Sequence, residues 1–233
     1  MANPLRWRGH EVSRLEGFSD TVFAFALTLI VVSLEVPRTI HELMDVMRGF
    51  LPFACSFTLL IWIWHQHNLF FRRFGMQDAL TVAFNAAILF VVLFYVYPLK
   101  FMFNTMFRGF GLLQIADPEL TAQSVRVVFV IYGLGFVVLF LLFASLYWHA
   151  LRHRVSLQLT ELEVFDATAA IREHFINVSV GLCSIAAAVL LPARQLGLAG
   201  FLYMLLGPAH AINGTATGRR RTSLEQSQNK ASL

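Results

Sequence analysis

The stretch Arg14–Thr21, RLEGFSDT, runs straight into Val22–Val36, VFAFALTLIVVSLEV, whose one charge is Glu35. Together they predict a helix over Ser13–Val36, long enough to cross a bilayer, which needs roughly 20 residues. This helix opens unusually for a membrane span. Arg14, Glu16, Ser19 and Asp20 fall in its first two turns. An ionisable group costs about 2.5–3.5 kcal/mol at the centre of a membrane helix, so such groups point to function.

A second pattern lies over the first. Thr21, Phe25, Thr28, Val32 and Glu35 follow one another at steps of four, three, four and three, which puts them on one stripe of a helix. A stripe facing only lipid has no use for two threonines. A threonine in a membrane helix can also bond back to its own carbonyls, so the residue types alone leave both readings of Thr28 open.

Composition sets the class. The 233 residues are 57% hydrophobic and 14% charged, with 23 Phe, whereas soluble domains run near 25% charged. This is the composition of an all-α polytopic membrane protein, with no room left for a soluble catalytic domain. Cys55 and Cys183 lie far apart in apolar segments and read as small core residues, neither a disulfide framework nor a metal site. The first apolar run is too long for a cleaved leader and contains Asp20. The net charge of +4 sits in loops and tail, where it reports membrane orientation and gives no reason to invoke nucleic acid.

Along the chain the apolar runs predict further helices over Gly49–Phe71, Ala79–Leu99, Val127–Leu151, Thr160–Leu191 and Leu196–Asn213. Arg38–Arg48 and Lys100–Arg126 are connections. Residues 1–213 form one six-helix membrane domain, and the basic stretch 214–233, rich in Gly, Ser and Thr, is expected to be disordered. With six spans both termini share a side. That side holds twelve Lys and Arg against six on the other, which places both termini in the cytoplasm.

Arg14-x-x-x-Phe18-Ser19-Asp20 at the start of a first membrane helix resembles the signature of the lysosomal potassium channel family, transmembrane protein 175 and its bacterial homologues. Trp64-x-x-His67-x-x-x-Phe71 is similar to the family's second-helix pattern, and Asp78, Asn85 and Pro98 resemble its third helix. The resemblance implies a homotetramer of six-helix subunits in a bacterial inner membrane, with the first helices lining a central pore. It implies a potassium-selective cation channel without a cofactor, its partners being its own copies, potassium ions and membrane lipids. Phe25 then stands where the family usually has Ile or Leu at the narrowest point, and Leu29 and Val32 continue the apolar wall. Thr28 offers hydroxyl oxygens to a passing potassium ion, bound transiently at the level of Thr28 and Phe25. Thr21 and Glu35 stand at the two mouths.

Arg14, Phe18, Ser19 and Asp20 read as a structural polar network holding the pore helix, with partners on the second and third helices that the resemblance implies are Trp64, His67 and Asn85. Arg14 and Asp20 point about 120° apart on one helix and do not satisfy each other. His65 and His67 point about 200° apart and cannot share a metal. Two rival classes remain. A proton-coupled secondary transporter would use Asp20 and His67, but no helix shows the midspan break such transporters carry. An intramembrane serine protease would pair Ser19 with His210, but no loop near Ser19 can supply an oxyanion hole.

Overall fold

The structure, a computed structural model, describes residues 8, 11–32, 36–109 and 121–231. Among these described residues eight α-helices follow in order: α1 Arg14–Val32, α2 Ile40–Arg48, α3 Phe50–Phe74, α4 Ala79–Gly109, α5 Ala122–Arg152, α6 Glu161–Leu190, α7 Gly197–Phe201 and α8 Leu206–Ala231. No strand occurs among the described residues. Among the described residues five segments are long and apolar enough to cross a membrane, and α2 with α3, bent by 46°, make a sixth if counted as one. The expected all-α membrane class is the observed one.

The helix starts follow local chemistry. Ser13 and Glu16 form a reciprocal cap on α1: Ser13 Oγ accepts from Glu16 N–H at 3.2 Å and donates to Glu16 Oε1 at 2.8 Å. Glu16 therefore belongs to the cap. Asp78 caps α4 by accepting from Thr81 N–H at 3.1 Å and Thr81 Oγ1 at 2.8 Å. Thr160 and Glu163 form a capping box on α6.

Three boundaries differ from the sequence expectations. α4 runs through Pro98 to Gly109. A proline removes one N–H from the ladder, and apolar residues continue beyond it, so the helix goes on. The connection Arg38–Arg48 contains α2. The last span is broken into short turns and α7 before α8, which carries the helix through to Ala231 where disorder is expected from Gly214 onward. Two contacts explain the order: Arg172 donates to Thr217 Oγ1 at 2.5 Å, and Arg221 pairs with Asp166 at 3.2 Å, both holding α8 on α6.

The core sits around α5, more than half of whose apolar stretch is buried within the subunit. α5 and α6 form the most extensive helix pairing. Gly133 and Gly181 permit it, since a Cβ on Gly133 would stand 2.5 Å from Ile185 and one on Gly181 2.8 Å from Val137. Phe136, Phe140, Phe143, Tyr147 and Tyr203 fill the space with tilted and edge-on rings. Cys183 is exposed and Cys55 half-buried, so neither serves as the core residue expected. α1 lies at the edge of this bundle, against α3 and α4.

Candidate functional site

α1 has two opposite faces. Glu16, Ser19, Phe23, Ala26 and Ile30 are buried against the subunit. Phe18, Thr21, Phe25, Thr28 and Val32 are exposed, and Leu29 is half-buried between them. By the 3.6-residue period these two sets lie nearly opposite.

The buried face is fixed by a polar network across three helices. Ser19 Oγ donates to Leu15 O at 2.8 Å, within α1. Its lone pairs then accept from Asn85 Nδ2 on α4 at 2.9 Å. Asn85 Oδ1 faces His67 Nε2 on α3 at 2.6 Å. A carbonyl oxygen only accepts, so His67 carries its proton on Nε2. Its Nδ1 is buried and without a partner. The ring packs between Phe23 and Phe71, with centroids 5.3 and 4.7 Å away. The next residue, Asp20, accepts through Oδ1 from Trp64 Nε1 at 2.7 Å. Buried polar groups bonded in this way specify one register, because any slip leaves several of them unpaired.

The structure thus brings Ser19, Asp20, Trp64, His67 and Asn85 together. Arg14 and Phe18 are exposed and outside this cluster, so the arginine of the signature does not reach α3 or α4. Glu35 lies outside the described residues. His65 is exposed while His67 is buried, and no cluster of three His, Cys, Asp or Glu suited to a metal occurs among the described residues. Trp62 packs on Phe140 at 5.4 Å. His210 bonds Asn177 Oδ1 at 2.8 Å and so is engaged away from Ser19.

The exposed face has its own chemistry. Thr21 Oγ1 donates to Gly17 O at 2.8 Å and Thr28 Oγ1 to Ala24 O at 2.9 Å. Each hydroxyl thus spends its proton on its own helix and keeps its oxygen lone pairs free. The back-bond left open by the sequence is present, and it is compatible with offering oxygen to a cation. Phe25 projects between the two threonines, 56% exposed, while Phe23 two residues earlier is 2% exposed.

Sequence reasoning missed two polar ties. His149 Nε2 meets Asp78 Oδ2 at 2.9 Å, joining the end of α5 to the start of α4. Burial pushes the Asp78 carboxyl up, but the hydrogen bonds from His149 and Thr81 outweigh it and bring it down to about 2. Arg8 pairs with Glu163 at 2.7 Å, across 155 positions. No local signal in the sequence announces a partner so distant.

A helical membrane bundle with its first helix bolted down on one face and bare hydroxyls and rings on the other is the architecture of a transport protein. Residues 14–95 match the family model of the endosomal/lysosomal potassium channel TMEM175. A potassium channel of Marivirga tractuosa is 37% identical over 230 residues, covering 94% of this chain and 93% of its own length. A potassium channel of Chamaesiphon minutus is 30% identical over 96 residues, covering 38% of this chain and 47% of its own. A crystal structure of a variant of the potassium channel MtTMEM175, bound to a nanobody–MBP fusion, superposes with a TM-score of 0.80 at 37% identity, covering 93% of this chain and 98% of that one. A lysosomal potassium-selective channel TMEM175 homologue from Chamaesiphon minutus shares the fold at 21% identity, with a TM-score of 0.56. The chain belongs to the TMEM175 potassium channel family, which is a family of channels and not of enzymes.

Proposed function

We propose that four copies of this chain form a potassium-selective channel in a bacterial inner membrane, each contributing six spans, with α1 nearest the axis and both termini in the cytoplasm. The observation that carries this reading is the division of α1. Its locked face is satisfied within the subunit, whereas Thr21, Phe25, Thr28 and Val32 have no cover there. Symmetry turns that stripe into rings. The Phe25 ring is an apolar constriction that breaks the water column when narrow, and it moderates conduction. The Thr28 ring replaces part of the hydration shell of a potassium ion. Leu29 and Val32 extend the apolar wall, and Glu35 at the outer mouth concentrates cations. Lipid covers the remaining apolar surface. The polar network serves as the mount: Ser19, Asn85, His67, Asp20 and Trp64 hold α1 at fixed rotation.

The test is flux in liposomes together with the mass of the detergent-solubilised complex. A tetramer passing potassium without co-moving protons is the expected outcome. A monomer, or flux that requires a proton gradient and vanishes in Asp20→Asn, sinks the channel reading and favours the proton-coupled transporter.

A further inference from the structure

A cavity of about 490 Å³ lies between α4 and α5, lined on α4 by Tyr97, Lys100, Phe101 and Asn104 and on α5 by Val128 and Ile131. Its size falls in the range of small-ligand sites, roughly 300–1,000 Å³. Tyr97, Phe101 and Ile131 are exposed, so it opens to the outside of the subunit. The lining is sorted by chemistry. Tyr97, Lys100 and Asn104 follow at steps of three and four, which puts a phenol, an ammonium and an amide on one stripe of α4. All three can donate a hydrogen bond. Phe101, Val128 and Ile131 make the apolar part. No carboxylate lines the cavity among the described residues. Lys100 interacts within the chain, but an ammonium has three N–H donors, and a partner there does not exhaust them. Arg126, two residues before Val128, is committed elsewhere: it donates to the carbonyls of Val189 and Leu191.

The depth of the cavity decides what it meets. His149 bonds Asp78 at 2.9 Å, so the end of α5 and the start of α4 lie at one level. Arg72, Arg73 and Arg152 near those helix ends mark it as a membrane edge. At 1.5 Å per residue, Lys100 stands about 31 Å from Ala79 along α4, and Ile131 about 31 Å from Arg152 along α5. The hydrocarbon core of a bilayer is about 30 Å thick. The cavity therefore straddles the far edge of that core, where headgroup phosphates meet acyl chains. Tyr97 stands at the level where tyrosines gather in membrane proteins.

We propose that this cavity binds an anionic phospholipid of the leaflet remote from Asp78 and His149. Lys100, Tyr97 and Asn104 hold its phosphodiester, and the start of an acyl chain lies on Phe101, Val128 and Ile131. The donors suit any phosphate. The apolar part, set at the edge of the core, suits a lipid and not a free anion. A lipid seated there splints the far ends of α4 and α5 and stabilises the fold by mass action. The site does not depend on whether the chain conducts.

The test adds phosphatidylglycerol or phosphatidylcholine to the full chain in a neutral detergent, and reads bound lipid by native mass spectrometry and by the thermal midpoint. The anionic lipid binds about fivefold more tightly, as one cation near a headgroup allows, and raises the midpoint. Lys100→Gln brings its binding down to that of the zwitterionic lipid, and Lys100→Arg keeps the preference. Equal binding of the two lipids by the unaltered chain, or a preference that Lys100→Gln leaves intact, overturns the proposal. Inorganic phosphate does not displace the lipid; displacement shows a site for a free anion and overturns it as well. Should Lys100→Gln fail to fold, two measurements with Lys100 in place decide. Ile131→Trp fills the apolar part and loses phosphatidylglycerol binding; binding left unchanged overturns the proposal. Phe101→p-benzoylphenylalanine, irradiated in phosphatidylglycerol vesicles, forms a lipid adduct. A cross-link to a second copy or to the chain itself, in place of that adduct, shows a cavity covered by protein and overturns the proposal.

Discussion

Asn85 stands between Ser19 and His67, giving a proton to one at 2.9 Å and facing the proton of the other at 2.6 Å. One amide thereby ties α1, α3 and α4 together with both of its ends. A side-chain amide presents a donor and an acceptor side by side, as this position needs. Asn85→Leu leaves the buried His67 without a partner, at a cost of about 1–3 kcal/mol, and leaves Ser19 with its bond to Leu15 O alone. The expected outcome is a clear fall in the thermal midpoint and loss, in detergent, of the tetramer proposed above. His67→Ala acts in the same direction, more weakly, because Asn85 keeps Ser19. A tetramer that survives Asn85→Leu unchanged would show that the network does not mount the helix.

Two phenylalanines on α1 separate packing from conduction. Phe23 is buried in the subunit, and Phe23→Ala removes core contacts worth about 3–5 kcal/mol. Phe25 touches little of its own chain, so Phe25→Ala changes subunit stability by about 0.5 kcal/mol or less. If Phe25 forms the constriction proposed above, the same change raises potassium leak in liposomes by widening it. Equal effects of the two substitutions on unfolding, or a leak unchanged by Phe25→Ala, would contradict the division of α1 into a packed and a conducting face.

Asp78 gives the chain an acid-sensitive joint. Its carboxyl titrates at about 2 in the fold against an ordinary 3.8. A depressed carboxylate adds stability that is complete above the unfolded value and disappears as pH falls through the folded one. The Asp78 share is therefore present above about pH 4 and lost between there and pH 2. Asp78→Asn keeps the helix cap, since asparagine caps as well as aspartate, but it removes the titration. Thermal midpoints of the two proteins converge as pH drops across that window. Parallel curves would remove Asp78 from the acid response.

Close approach of α4 and α5 depends on Gly135. A Cβ there would stand 2.1 Å from the Tyr95 ring, whose hydroxyl donates to Ile131 O at 3.1 Å. Gly135→Ala displaces the ring, strains that bond and destabilises by roughly 1–3 kcal/mol. Gly197→Ala meets nothing within 4 Å and serves as the control. Loss of thermal stability in the first and none in the second is the expected pair of results.

The sequence alone determined the membrane class, the family and most of the helices, because each follows from local chemistry: long apolar runs, prolines and glycines at their ends, and a signature whose residues are neighbours along the chain. It also placed Thr21, Phe25, Thr28 and Val32 on one stripe, since a helix has a fixed period. It could not say which way that stripe faces. Rotation of α1 is set by Ser19, Asp20, Trp64, His67 and Asn85, drawn from three helices and joined only when the bundle closes. The same holds for Arg8 with Glu163 and for Asp78 with His149, pairs whose members lie 155 and 71 positions apart. Charge pairs of this range leave no periodicity to read. Helix α8 makes the point from the other side: its composition favours disorder, and contacts to Asp166 and Arg172 on α6 order it.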